Sequence, residues 1–158
     1  MRSKLCRLAK SFHYALQGLW YCVRRERNFR IHLTAACYAL LLAGWLELEA
    51  GEWGLLLLTV ALVLAMELVN TAIEAVVDRL SPQRTEGGRI AKDAAAAAVL
   101  CCAAASVGVG IALFWRPAQL RALWSFFTGN QPALLALAGS AVLAALFIFG
   151  PEKEKERK

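Results

Sequence analysis

The sequence predicts an all-α membrane protein with an N-terminal amphipathic surface helix, three transmembrane helices and a further, fourth hydrophobic helix near the C-terminus. Three observations carry this expectation. The 158-residue chain is 59% hydrophobic and its mean hydropathy is +0.49, yet 18 Lys and Arg residues leave it with a net charge of +6. Those cations gather beside apolar runs and do not interleave with exposed aromatics, which favours membrane orientation over nucleic-acid binding. The four prolines, Pro82, Pro117, Pro132 and Pro151, fall at the ends of the apolar segments, where a missing backbone donor is tolerated. Such a length leaves no room for a separate soluble catalytic domain, so any chemistry uses the helices themselves.

From Ser3 to about Val23, Leu5, Leu8, Phe12, Leu16, Leu19 and Val23 recur at intervals of three and four residues among Arg2, Lys4, Arg7 and Lys10. That pattern describes a helix lying in the interface. The same interruptions by charge argue against a cleavable signal peptide. A basic cluster from Arg24 to Arg30 then leads into Ile31 to Leu46, an apolar stretch just long enough to span when flanking residues help. Eight basic residues precede this segment, and Glu47, Glu49 and Glu52 follow it. The positive-inside rule therefore places the N-terminus in the cytoplasm.

Trp53 to about Val77 forms the second span. Pro82, Gly87 and Gly88 mark a cytoplasmic loop, with Arg79, Arg84, Arg89 and Lys92 agreeing with that side. Ala91 to Trp115 is the third span, whose Ala94–Ala98 and Ala103–Ala105 runs permit close helix approach. A connection over 116–131 leads to an additional hydrophobic helix over 132–150 and a charged tail over 151–158. The five cysteines form neither a metal-type CxxC pair nor a secreted disulfide framework, and are expected to be ordinary packing thiols.

The strongest chemical signal is ELVNTAIE, Glu67 to Glu74, inside an otherwise apolar span. At about 100° per residue, Glu67, Asn70, Thr71, Glu74 and Asp78 share one face, while Leu62, Ala65, Val69, Ala72 and Val76 hold the other. A charge within hydrocarbon costs at least ~2.5 kcal/mol on insertion scales, which marks such a stripe as functional; the plain alternative is interhelical hydrogen bonding by a protonated Glu. About 10 Å of helix separates the two acids. The deeper Glu67 suits a base that accepts a proton from an alcohol, and Glu74, nearer the interface, suits Mg²⁺ held together with nucleotide phosphates. Glu26 is a candidate second carboxylate, although an ion pair with Arg30 at i,i+4 is open to it. Lys92 and Asp93 begin the third span, where they either contact a nucleotide or form an interfacial anchor pair. No Walker loop or soluble protein-kinase signature is present.

Taken together, Ser11–Ala15 through Gly18, RRERNFRIH over Arg24–His32, ELVNTAIEAVVD over Glu67–Asp78 and AKDAAAAAVL over Ala91–Leu100 resemble the prokaryotic diacylglycerol kinase and undecaprenol kinase family. The resemblance covers residues 1–115. It implies a lipid kinase of the bacterial cytoplasmic membrane that uses Mg²⁺ and ATP on undecaprenol or diacylglycerol, assembled as a homotrimer with active sites shared between subunits. By that resemblance Glu67 matches the catalytic base and Asn70 the polar residue beside it, while Glu26 and Glu74 match the metal-holding carboxylates. Arg7, Tyr14, Gln83, Arg84, Thr85, Lys92 and Asp93, with Glu26 and Glu74, match nucleotide contacts; Glu67 and Ala96 match substrate contacts. The loop Gln83–Glu86 departs from the family in lacking a Tyr-His pair, and the fourth segment exceeds its usual length. An ion or proton pathway, a di-metal carboxylate bundle and a noncatalytic scaffold are the rival readings.

Overall fold

The computed structural model describes residues 2–80, 83 and 85–150, with residues 2–5 described as backbone only. Arg84, Ser81, Pro82 and the tail 151–158 lie outside the described residues. Six helices follow in order: α1 (Arg2–Arg25), α2 (Arg27–Trp45), α3 (Ala50–Leu80), α4 (Glu86–Phe114), α5 (Pro117–Gly129) and α6 (Gln131–Phe149). Among the described residues α3, α4 and α6 are long and apolar enough to cross a membrane, and the protein is a multi-pass membrane protein. Arg27 and Arg30 lower the hydropathy of α2, which is outside that set. Its apolar part, Ile31 to Trp45, spans only ~22 Å. It sits within the bundle nonetheless, against α1, α3, α4 and α6.

Helix length sets where the polar chemistry lies. The 31 residues of α3 and the 29 of α4 correspond to ~46 Å and ~44 Å, well beyond a hydrocarbon core of ~30 Å. The two helices pack along one another, so their joined ends project beyond the apolar slab and carry Asp78, Arg79, Glu86, Arg89 and Lys92 there. The expected loop at Gly87 and Gly88 is instead the first turn of α4. Thr85 is its N-cap, and the hydroxyl accepts from Gly88 N at 3.2 Å, which satisfies a backbone donor that two glycines would otherwise leave to water. The connection over 116–131 contains α5, which starts with Pro117 in its first turn. Pro132 likewise occupies the first turn of α6, whose N-cap Asn130 accepts from Ala133 N at 3.2 Å.

At the opposite end, Ala43, Leu46, Leu48, Leu56 and Leu113 form an apolar core with Trp53 and Phe114 against it. The α2–α3 connection is so short that Glu47 takes a φ of 51°, a left-handed conformation uncommon outside glycine. Arg116 closes this end: its guanidinium donates to Leu46 O at 3.2 Å and to both carboxylate oxygens of Glu52, at 2.6 and 2.5 Å. Farther along, Tyr38 Oη and Ser140 Oγ lie 3.0 Å apart and tie α6 to α2.

Candidate active site

The stripe on α3 faces inward as its periodicity requires. Glu67 is only 2% exposed, and Asn70, Thr71 and Glu74 are half-buried, whereas Leu62, Val69 and Val76 are exposed on the outer side. This inversion, polar inside and apolar outside, is what a lipid solvent selects. Asp78, at the end of the stripe, is exposed.

Glu26 reaches this stripe because of a break in the chain. α1 runs continuously to Arg25, then Glu26 takes an extended conformation at φ −106° and ψ 110° as the N-cap of α2. One turn earlier, Cys22 is 3% exposed and lies beside Thr71 of α3. One turn after the break, Phe29 is fully buried and Arg30 is buried with it. These anchors hold Glu26 where its charge, and that of Glu74, act on Glu67. Burial pushes the Cys22 thiol above its ordinary range, with Glu26 and Glu67 adding to the effect.

Within the stripe, Asn70 Nδ2 donates to Glu74 Oε1 at 3.0 Å, and Thr71 Oγ1 donates to the Glu67 carbonyl at 3.0 Å. Asn70 Oδ1 is buried and has no hydrogen-bond partner. Three carboxylates drawn together repel one another unless a cation offsets them. Among the described residues no three His, Cys, Asp or Glu side chains stand at full metal-holding spacing. Glu26 and Glu74 nonetheless fit the donor set of Mg²⁺, a hard ion that takes one or two carboxylates and completes its shell with phosphate and water.

A contact absent from the sequence reading meets Glu67 from α2. His32 Nε2 lies 3.2 Å from Glu67 Oε1, and the His32 side chain is 25% exposed against 3% for Glu67. No periodicity relates positions 32 and 67, so only the packing of α2 on α3 discloses the pair. His32 also lines an apolar groove of about 200 Å³ among α2, α3 and α4, with Ala36, Val63, Ser106 and Gly110.

The projecting ends of α3 and α4 enclose a cleft of about 610 Å³ lined by Asp78, Thr85, Glu86, Arg89, Lys92 and Asp93 with Val77 and Gly88. Its size is that of a small-molecule site. Lys92 Nζ donates to Asp78 Oδ1 at 2.6 Å, and Arg89 pairs with Asp93 at 3.1 Å on the same helix. Asp78 was legible only as the end of the polar stripe; its partnership with Lys92 needs the α3–α4 packing.

Thus Glu26, Glu67, Asn70 and Glu74 converge, and Thr85, Lys92 and Asp93 share the cleft. Arg7 and Tyr14 are exposed on α1, and Gln83 and Ala96 are exposed on the α3–α4 connection and α4. Arg84 lies outside the described residues.

Residues 13–114 match the family model described as prokaryotic diacylglycerol kinase. The chain is similar to an undecaprenol kinase of Bacillus subtilis (strain 168), 40% identical over 72% of this chain and 92% of that protein. It is similar also to a diacylglycerol kinase of Escherichia coli (strain K12), 37% identical over 69% of this chain and 89% of that one. A diacylglycerol kinase of Synechocystis sp. is 45% identical over 70% of this chain and 63% of its own length.

Proposed function

The chain belongs to the prokaryotic diacylglycerol kinase family and is a membrane lipid kinase, and on that premise we propose that Glu67 is the base that activates the hydroxyl of a membrane lipid alcohol toward ATP. The observation that carries the reading is a carboxylate 2% exposed in the middle of a spanning helix, under the charges of Glu26 and Glu74. The acceptor is undecaprenol or diacylglycerol, the alcohols for which its relatives are named.

In this reading the nucleotide occupies the cleft at the ends of α3 and α4, with Lys92 offsetting phosphate charge and Asp93 and Thr85 beside it; Gln83 and Arg84, from the adjoining connection in the sequence, are further candidate contacts. Arg7 and Tyr14 approach from α1. Glu26 and Glu74 would hold Mg²⁺, which would supply charge neutralisation for the phosphates. Asn70 orients Glu74 by its 3.0 Å hydrogen bond. The lipid enters laterally and passes Ala96, and Glu67 takes the hydroxyl proton as the oxygen attacks the γ-phosphorus; positioning and charge stabilisation carry most of such a transfer. The products are a phosphorylated lipid and ADP.

The basic residues ahead of α2 and around the cleft, against Glu47, Glu49 and Glu52 at the opposite end, support a cytoplasmic N-terminus in a bacterial inner membrane. The family resemblance supports a homotrimer, with 1–115 as its kinase domain and α6 as an addition outside it. The test is ATP-dependent phosphorylation by the purified protein in mixed micelles, offering undecaprenol and diacylglycerol separately, with and without Mg²⁺. Mg²⁺-dependent product from either lipid supports the reading and identifies the acceptor; a folded protein that phosphorylates neither refutes it.

A further inference from the structure

We propose that His32 is a positioning residue for the transfer, holding the Glu67 carboxylate in the orientation that accepts the lipid hydroxyl proton. The inference rests on the reading of Glu67 as the base. A carboxylate has two oxygens and about four lone-pair sites, and a base must present one of them within hydrogen-bond reach of the proton it takes. The other members of the stripe do not supply that orientation: Asn70 donates to Glu74, and Thr71 engages the backbone carbonyl of Glu67 and not its side chain. His32 comes from a different helix and places Nε2 3.2 Å from Oε1, a close contact that a modest rotation of the ring turns into an N–H···O hydrogen bond. So turned, with its proton on Nε2, the neutral imidazole donates to Oε1 and leaves Oε2 for the alcohol.

The location of the ring favours this role over simple packing. His32 is the residue that both pairs with Glu67 and lines the apolar groove among α2, α3 and α4. It therefore stands where buried carboxylate and apolar surface meet, which is where a lipid alcohol presents its hydroxyl. In the step itself the lipid O–H bond breaks, its proton passes to Glu67 Oε2, and the oxygen forms a bond to the γ-phosphorus. The bond from that phosphorus to the bridging oxygen breaks, and ADP leaves with the electron pair. His32 keeps its proton throughout.

Four variants of the full chain test the assignment in mixed micelles under saturating Mg²⁺. His32→Ala removes the donor, and His32→Phe removes it while keeping ring volume, so that a folding defect in one leaves the other as the test. Both should lower kcat by ~10–100-fold, the scale of a misplaced catalytic group, with KM for ATP and for the lipid within about twofold of wild type. His32→Gln, whose amide restores an N–H donor at similar reach, should recover most of kcat. Full kcat in His32→Ala or His32→Phe, a loss confined to KM, or His32→Gln as inactive as the knock-outs would overturn the assignment. Glu67→Gln separates the two levels: inactive beside fully active His32 knock-outs, it preserves the base and removes only the role of His32. A wild-type protein that phosphorylates no lipid removes both.

Discussion

Lys92 Nζ lies 2.6 Å from Asp78 Oδ1 and joins the projecting ends of α3 and α4 across the cleft. The pair is substantially exposed, with side-chain exposures of 34% for Lys92 and 59% for Asp78. An ion pair of that exposure contributes under ~1 kcal/mol to stability, so its value lies in aiming the ammonium. Lys92→Ala should therefore leave thermal unfolding almost unchanged while raising KM for ATP by ~10-fold, equivalent to ~1.4 kcal/mol of binding. Steady-state kinetics at varied ATP, with lipid saturating, reads the effect; an unchanged KM removes Lys92 from the nucleotide site.

Glu67→Gln keeps the shape of the side chain and removes its capacity to take a proton. Turnover should fall by at least ~10²-fold, the contribution of a positioned general base. Folding should be retained, because the substitution also removes a buried charge. Radiolabelled phosphate transfer and the melting curve of the same sample test the two halves together, and unimpaired turnover rules out the base.

At the other end of the bundle, Arg116 chelates Glu52 and the Leu46 carbonyl. The contact joins the α4–α5 connection to α3 and to the end of α2, far from the carboxylate stripe. Arg116→Ala is expected to lower the Tm of the detergent-solubilised protein by a few degrees, through loss of charge-assisted bonds, while leaving both KM values at wild type. A drop in kcat without a drop in Tm would contradict this purely structural role.

Cys22 and Cys6 share α1 but differ in surroundings: Cys22 is buried and Cys6 exposed. Burial raises the Cys22 thiol, so less thiolate is available at neutral pH, and the thiolate is the reactive form. A water-soluble maleimide should modify Cys6 at least ~10-fold faster than Cys22, since exposure and thiolate fraction act in the same direction. Mass spectrometry of timed samples resolves the two sites, and equal rates would mean that α1 does not dock on Thr71.

The stripe from Glu67 to Glu74 was legible because helical period and hydropathy are local properties, and a polar face in a spanning segment has a large solvation cost wherever it occurs. The helix ends were less legible. Gly87 and Gly88 read as loop, yet a single hydroxyl from Thr85 is enough to start α4 ahead of them. Composition marks a flexible residue; a cap decides whether it is helical.

By itself, then, the sequence determined an all-helical membrane protein, the inward face of α3, the acids that carry the candidate chemistry and the kinase family. Those follow from periodicity, transfer cost and motif order, all written along the chain. The meeting of His32 with Glu67, of Lys92 with Asp78 and of Cys22 with Thr71 was decided by tertiary packing alone. Each joins side chains on different helices, and which residues meet there depends on helix register and crossing, properties that no single segment contains.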